Sequence, residues 1–304
     1  MNRLPALAVM VALVVTTKAQ ESDRFVASPT ELVVLSVVVD DRRGHTVTNL
    51  ARERFTVYDD DRVQPITLFS NEDTPVSVAL VIDISGSMRP KLGEVVVAAL
   101  AFAQSSHPAD ELSTIGFNEQ VFDAIDGHAL EAADLHGLEA ALRGLRAEGQ
   151  TALYDGLEAG LDRLDRSTHA RKILLLVSDG GDNASVSTLD KVLARAKRSN
   201  VAIYTIGLFD PNAADQNPKV LQALARATGG QRFLPASPSG LLGVCQRIAR
   251  EIRSGYTMAF TPASRDGRYH AIRVEVAPGA DGRLTARTRP GYQAVGLGAA
   301  PAPK

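Results

Sequence analysis

Residues 76–88, VSVALVIDISGSM, decide how this chain is read. The first seven, Val76 to Ile82, are almost wholly apolar, which is the composition of a strand covered on both faces. Asp83 follows at once, and Ser85, Gly86 and Ser87 leave the strand in a short polar loop. Open parallel sheets take their ligands at the carboxyl ends of their strands, so Asp83, Ser85 and Ser87 are candidate site residues by position. Alone, D-x-S-x-S is a weak signal in a chain of 304 residues.

Outward from this stretch the grammar is strand, helix, strand. Residues 172–177 (KILLLV) and 201–206 (VAIYTI) repeat the buried-strand composition and imply parallel pairing. Between them, apolar residues recur at helical spacing: Leu92, Val95, Val96, Ala99 and Phe102; then Leu135, Leu138, Ala141, Leu142 and Leu145; then Leu153, Leu157, Leu161 and Leu164; then Leu189, Val192, Leu193 and Ala196. These are crossover helices. Residues 111–117 and 120–125 read as further strands joined by a tight turn at Asn118-Glu119, which makes one of them an antiparallel edge. Residues 220–227 and 241–252 read as two more helices on either side of a strand at Phe233.

Both flanks speak β instead. Before the α/β stretch come residues 31–40 (ELVVLSVVVD), 55–58 and 63–69, with Asp59-Asp60-Asp61 read as a hairpin turn rather than a calcium loop. After it come 256–260, 269–276 and 283–288, with turns at Asp266-Gly267 and Asp281-Gly282. The flanks resemble each other more than they resemble the middle. The expected organisation is therefore a Rossmann-like α/β domain over residues 75–254, inserted between a β-rich flank at 20–74 and another at 255–293, the two flanks forming a smaller accessory domain. Residues 1–19 read as a signal peptide: Arg3 supplies the positive start, residues 4–15 an apolar run, and Thr17-Lys18-Ala19 a small-x-small cleavage site. Residues 294–304 read as a disordered tail.

Composition narrows the function classes. Apolar residues make up 45% and charged residues 22%, as in folded globular proteins. With 33 basic and 35 acidic residues, and fewer basic ones once the leader is cut, no bulk positive field is present to hold a nucleic-acid backbone. The mature chain is expected to be exported, periplasmic or secreted, with no membrane span. Cys245 is the single cysteine, so no internal disulfide is available; its spacing with Leu241, Ile248 and Ile252 places it in a core. The basic residues Arg143, Arg146, Arg163, Arg166, Arg171 and Lys172 are interspersed with acids and are read as solvated helix faces.

Two more segments bear on the chemistry. Thr151 lies in GQTALYD, a loop entering a helix, and Asp179 follows the apolar strand ILLLVS. If the strands are parallel, the loops carrying Asp83, Ser85, Ser87, Thr151 and Asp179 emerge at one sheet edge. They then supply two carboxylates and three hydroxyls, hard oxygen ligands that suit Mg²⁺, Mn²⁺ or Ca²⁺ rather than zinc.

Here the chain resembles the von Willebrand factor type A domain, whose metal-ion-dependent adhesion site has the pattern D-x-S-x-S, then a Thr, then an Asp. All five positions match, and the likeness covers about residues 76–254. The flanks resemble a bacterial von Willebrand factor type A-related family first described in Acidobacteria, through VVVDDRRGHTVTNLARERFTVYDDDRVQPITLF, DGRYHAIRVEV and RTRPGYQ. The resemblance implies binding without turnover: hydroxyls contact a divalent cation, Mg²⁺ foremost, the aspartates act directly or through water, and a carboxylate from a protein or peptide partner completes the octahedron.

The residues themselves leave two other readings open. One is a metal-dependent phosphoryl-transfer enzyme or hydrolase with Asp83 as nucleophile and Asp179 as metal ligand. Against it stand Ser85 where a second acid is expected, no basic neighbours but Arg89 and Lys91, no G-x-S-x-G elbow, and no HExxH. The six histidines, 45, 107, 128, 136, 169 and 270, are scattered and read as surface or loop residues. The other is a structural envelope assembly factor that binds through its β-rich flanks and keeps the metal site as a vestige.

Overall fold

A computed structural model describes residues 32–125, 127–209, 216–279 and 282–294. The leader at 1–19 and all but the first residue of the tail lie outside the described residues, as does Asp281. The N-terminal flank holds β1 (Val33–Asp40), β2 (Phe55–Asp59), β3 (Arg62–Gln64) and β4 (Leu68–Ser70). The α/β stretch follows as β5 (Ser77–Asp83), α1 (Leu92–Ser105), β6 (Glu111–Phe117), β7 (Val121–Asp123), β8 (Leu130–Glu131), α2 (Leu135–Gly144), α3 (Leu153–Asp165) and β9 (Lys172–Ser178). It continues with α4 (Leu189–Arg198), β10 (Val201–Gly207), α5 (Pro218–Thr228), β11 (Arg232–Phe233) and α6 (Leu241–Arg253). The C-terminal flank is β12 (Tyr256–Phe260), β13 (Tyr269–Val276), β14 (Thr285–Arg287) and β15 (Gly291–Gln293).

The central sheet runs β11-β10-β9-β5-β6-β7, with β8 also on β6; β5, β6, β9, β10 and β11 pair in parallel, and β7 and β8 antiparallel. Every residue of β5 is buried, because helices cover both faces. Val78, Leu80 and Ile82 pack among Val95, Phe102, Leu138 and Ile248, whereas Ala79 and Val81 pack among Leu153, Leu157, Leu161 and Leu164. This alternation is the period of two that a strand imposes. Helix α3 comes close to the sheet through two glycines: a Cβ at Gly156 would lie 2.6 Å from Phe117, and one at Gly160 would lie 2.7 Å from Val81. The strand order reverses between β5 and β9. The chain leaves β5 for α1 on one face and β9 for α4 on the other, which opens a crevice at their carboxyl ends.

The flank strands make two antiparallel four-stranded sheets, β14-β1-β12-β4 and β15-β13-β2-β3. Leu35, Val37, Val57, Tyr256, Met258, Phe260, Ile272 and Tyr292 from both sheets share one buried cluster. The run at 63–69 is divided: Pro65 has no N–H for a ladder, so β3 stays with β2 while β4 crosses to β12 in the other sheet. Asp60 and Asp61, at φ 45° and 64°, form the two-residue turn between β2 and β3.

Two sequence expectations are corrected. Arg171 is buried, not solvated: its guanidinium donates to the Ile252 carbonyl at 2.7 Å, where α6 ends. His270 is also buried, on β13 and stacked against Tyr292. Cys245 lies in the core, where burial pushes its thiol up to about 12 and disfavours the thiolate. Among the described residues no helix is long and apolar enough to cross a membrane.

Flank and α/β layers meet at the amino ends of the parallel strands. Arg289 donates to Asn200 just before β10, and Arg287 reaches the Gly229 carbonyl before β11. Arg287 also pairs with Glu251 of α6, which is 2% exposed and accepts from Tyr204 at 3.1 Å. Breaking a buried pair leaves a stranded charge. Glu251→Gln is expected to cost about 3 kcal/mol in urea unfolding, and joint replacement by Glu251→Leu and Arg287→Met to cost less than Glu251→Leu alone.

Candidate functional site

Asp83 is the last residue of β5, Ser178 the last of β9, and Asp179 follows it. The register sets Ile82 beside Val177 and Asp83 beside Phe117, so these positions reach the sheet edge together. Asp83 is fully buried. Its Oδ1 accepts from the Ser85 backbone N–H at 2.9 Å and its Oδ2 from the Ser178 hydroxyl at 2.7 Å. The first bond is a tight turn that folds Ser85 and Ser87 back over the strand end. The Ser85 and Ser87 hydroxyl oxygens lie 3.2 Å apart, and Ser87 donates to Asp179 Oδ2 at 2.9 Å. Asp179 Oδ1 in turn accepts from Gly181 at 3.2 Å.

Thr151 is brought in by cross-bracing. The Gly86 N–H donates to the Gly149 carbonyl at 3.1 Å, and Asn183 and Ala184 both donate to the Thr151 carbonyl. The Thr151 N–H donates to the Asn183 side chain at 2.9 Å. Helix α3 has no cap of its own, since Ala152 stands at its N-cap. The loop after β9 supplies one instead: Asp182 Oδ1 accepts from Leu153 at 2.9 Å and the Ser185 hydroxyl from Tyr154 at 3.0 Å. Asp155, in the first turn of α3, returns the bond by accepting from Val186 and Ser187, each at 2.8 Å. Capping is ordinarily local; here it ties two distant loops together.

The five residues singled out from sequence thus stand on three mutually braced loops at one sheet edge. Asp83, Ser85, Ser87 and Asp179 are joined by hydrogen bonds among themselves, and Thr151 is joined through backbone. The Thr151 hydroxyl makes no hydrogen bond among the described residues. Ser178, Asp182, Asn183 and Ser185 were missed, although S-D-G-G-D-N-A-S stands in the sequence as an unusually polar run directly after a buried strand. Nothing in that run says that its partners are the N–H groups of residues 151–154.

The electrostatics are lopsided. Burial holds the Asp83 carboxyl up at about 6 against an ordinary 3.8, and the Asp179 charge adds to this while the Ser85 and Ser178 bonds oppose it. The nearest cations in sequence are spent elsewhere: Lys91 donates to the Leu208 carbonyl at 2.6 Å and Arg89 to that of Ala147 at 3.1 Å. A buried, under-compensated carboxylate amid convergent oxygens fits a hard dication.

The sequence profile of the von Willebrand factor type A domain matches residues 77–241, and the chain belongs to that family. The uncharacterized protein sll0103 of Synechocystis sp. is 30% identical over 184 residues, 57% of this chain; the chain spans 41% of that relative's length. Among solved structures, a von Willebrand factor type A protein from Catenulispora acidiphila is similar with a TM-score of 0.53 and 17% identity, over 89% of this chain and 75% of that one. The pilus adhesin SpaC from Lactobacillus rhamnosus GG, in its open conformation, gives a TM-score of 0.50 and 13% identity, over 82% of this chain and 49% of that one. These likenesses concern the fold. Domains of this family commonly bind a divalent metal.

Because the folded-state value for Asp83 exceeds its unfolded value, protonation favours the fold. That contribution is fully present below about pH 4 and is lost as pH rises through 6, a change of about 3 kcal/mol. In EDTA at pH 7.5, Asp83→Asn is therefore expected to resist urea better than the unsubstituted chain, by up to about 3 kcal/mol, with the gap closing near pH 4. A stability gap that stays the same between about pH 4 and about pH 7.5, whatever its sign, would show that the carboxylate charge costs the fold nothing.

Proposed function

We propose that this chain is an exported, non-enzymatic binding protein in which Asp83, Ser85, Ser87, Thr151 and Asp179 hold a divalent cation, Mg²⁺ foremost, with Ca²⁺ and Mn²⁺ as other occupants of the same oxygen set. The observation that carries the proposal is the run of contacts from Ser85 through Ser87 to Asp179, set over a buried Asp83 that no cation among the described residues pairs with. A bound dication would supply a Lewis-acidic position able to accept a carboxylate from a protein or peptide partner. The chain's own residues do the rest. Asp83 provides the charge, Ser178 keeps its second oxygen oriented, and the 182–187 loop holds Thr151 at the rim.

Three further features support a binding role. Arg89 and Lys91, the bases closest in sequence to Asp83, are tied to backbone carbonyls, which leaves phosphoryl transfer without an evident electrophilic helper. The acidic charge balance disfavours nucleic acid. A structurally similar chain is described as a pilus adhesin. The two flank sheets share their own buried cluster and are read as an accessory β domain, in keeping with the bacterial von Willebrand factor type A-related branch that the flank sequences resemble. An exported, envelope or extracellular setting agrees with the N-terminal sequence.

Affinity capture from an envelope or culture-medium extract, with the intact chain as bait, tests the proposal. Partner recovery is expected in Mg²⁺, to fall at least tenfold in EDTA, and to be equally weak for Asp83→Ala in Mg²⁺, while circular dichroism of that variant stays unchanged. Capture that persists in EDTA and in Asp83→Ala would move the binding surface to the flanks.

A further inference from the structure

The hairpin turn at Asp59-Asp60 does more than reverse the chain. Three side chains converge there: Asp59 at the end of β2, Asp60 in the turn, and His270 on β13. One ligating atom from each, His270 Nδ1 and an oxygen of each carboxylate, lies within 4.8 Å of the other two. Asp59 and His270 are 4% and 6% exposed.

Each residue is held by the atom that does not face this point. His270 Nε2 sits 3.0 Å from Asp266 Oδ1, Asp59 Oδ2 accepts from the Tyr292 hydroxyl at 3.0 Å, and Asp60 Oδ1 accepts from the Ala271 N–H at 2.8 Å. With Nε2–H on Asp266 and Nδ1–H facing Asp60 Oδ2, a cation entering between the carboxylates would displace the Nδ1 proton and take its lone pair. A carboxylate behind a histidine is the outer support that metal-binding histidines use. The inward set is Nδ1, Asp59 Oδ1 and Asp60 Oδ2; Nδ1 lies 3.5 Å from the first oxygen and 2.9 Å from the second. Asp59 Oδ1 is buried and has no hydrogen-bond partner among the described residues. An unpaired buried carboxylate oxygen is costly, and here it points at the other two ligand atoms.

We propose that Asp59, Asp60 and His270 form a second divalent-metal site, distinct from the sheet-edge site and selective for a transition ion of the Zn²⁺ class. One imidazole nitrogen with two carboxylate oxygens suits such an ion better than Mg²⁺ or Ca²⁺, which favour all-oxygen shells. Tetrahedral ligands about 2.1 Å from zinc stand about 3.4 Å apart, so the two spacings from Nδ1 need adjustments of about 0.5 Å or less, and the two carboxylate oxygens lie within 4.8 Å of each other. Three protein ligands leave one position open. The ion would join the β2–β3 turn, β13 and the Asp266 turn into one unit, a stapling role that a chain with a single cysteine cannot give to a disulfide. The proposal does not depend on the adhesion-type reading of the sheet edge.

Calorimetric titration of the EDTA-stripped, dialysed full chain carrying Asp83→Ala, which silences the other site, tests it. One equivalent of Zn²⁺ is expected to bind and to raise the thermal midpoint, whereas Mg²⁺ at the same concentration leaves the midpoint unmoved. Adding His270→Gln is expected to weaken Zn²⁺ at least tenfold. Adding Asp60→Ala, a change in a half-exposed turn that does not threaten the core, gives the same loss and decides the matter if His270→Gln does not fold. No Zn²⁺ uptake by the Asp83→Ala chain, or undiminished affinity in the folded Asp60→Ala chain, would overturn the proposal.

Discussion

A carboxylate with no exposed surface at the end of a central strand is the constraint around which the α/β layer is arranged. Asp83 cannot be moved outward, because β5 is flanked on both sides and covered on both faces. Nor does the fold neutralise it: Ser178 and the Ser85 N–H each give a hydrogen bond, but no cation of the chain pairs with it among the described contacts. Such a group costs stability at neutral pH, which agrees with the cation proposed for this edge. The hydroxyls of Ser85 and Ser87, and Asp179 beyond them, extend the same oxygen-rich surface outward.

A carboxylate at a strand end is of little use unless the loops around it hold still. Here rigidity comes from reciprocal bracing rather than from apolar packing. Asp182, Asn183 and Ser185 cap α3 from the next loop, and Asp155 answers from α3. The helix is in turn pressed on the sheet by Gly156 and Gly160, where any side chain would collide with Phe117, Val81 or Leu174. Thr151, two residues ahead of the start of α3 at Leu153, therefore inherits its place from the sheet itself. Replacing either glycine would act on the site at a distance, by tilting α3 away from its cap.

The central strands, the crossover helices and the shared edge position of the five candidate residues were legible in the sequence because each rests on a local signal. An apolar run says buried strand, a 3.6-residue period says helix, and an acid after the run says sheet edge. The antiparallel edge at Asn118-Glu119 was legible for the same reason. What stayed hidden depends on partners remote in sequence. Ser178 reads as one more strand residue until Asp83 is beside it. Arg171 looks like part of a charged helix face, yet its guanidinium is drawn inward by the carbonyl that ends α6, 81 residues away. His270 alternates with exposed neighbours in the strand, and only the pairing of β13 with β2 reveals that its ring meets Asp59 and Asp60. Residues 63–69 read as one run, but Pro65, which has no N–H for a ladder, divides them between two sheets.

The placement of the two flanks bears on what the site can reach. The described contacts between flank and α/β layer that involve Arg171, Asn200 and Gly229 all fall just ahead of β9, β10 and β11, at the amino ends of the parallel strands. Asp83, Thr151 and Asp179 belong to the opposite, carboxyl edge. A chain that enters the α/β layer from β4 and returns from α6 into β12 closes its accessory sheets at the amino-end side, and the sheet polarity alone then keeps those sheets away from the oxygen cluster. One edge of the same sheet is committed to holding the molecule together. The other carries the proposed oxygen site, and the two candidate metal-binding regions, one all-oxygen and one with nitrogen, differ in donor chemistry and so need not compete for the same ion.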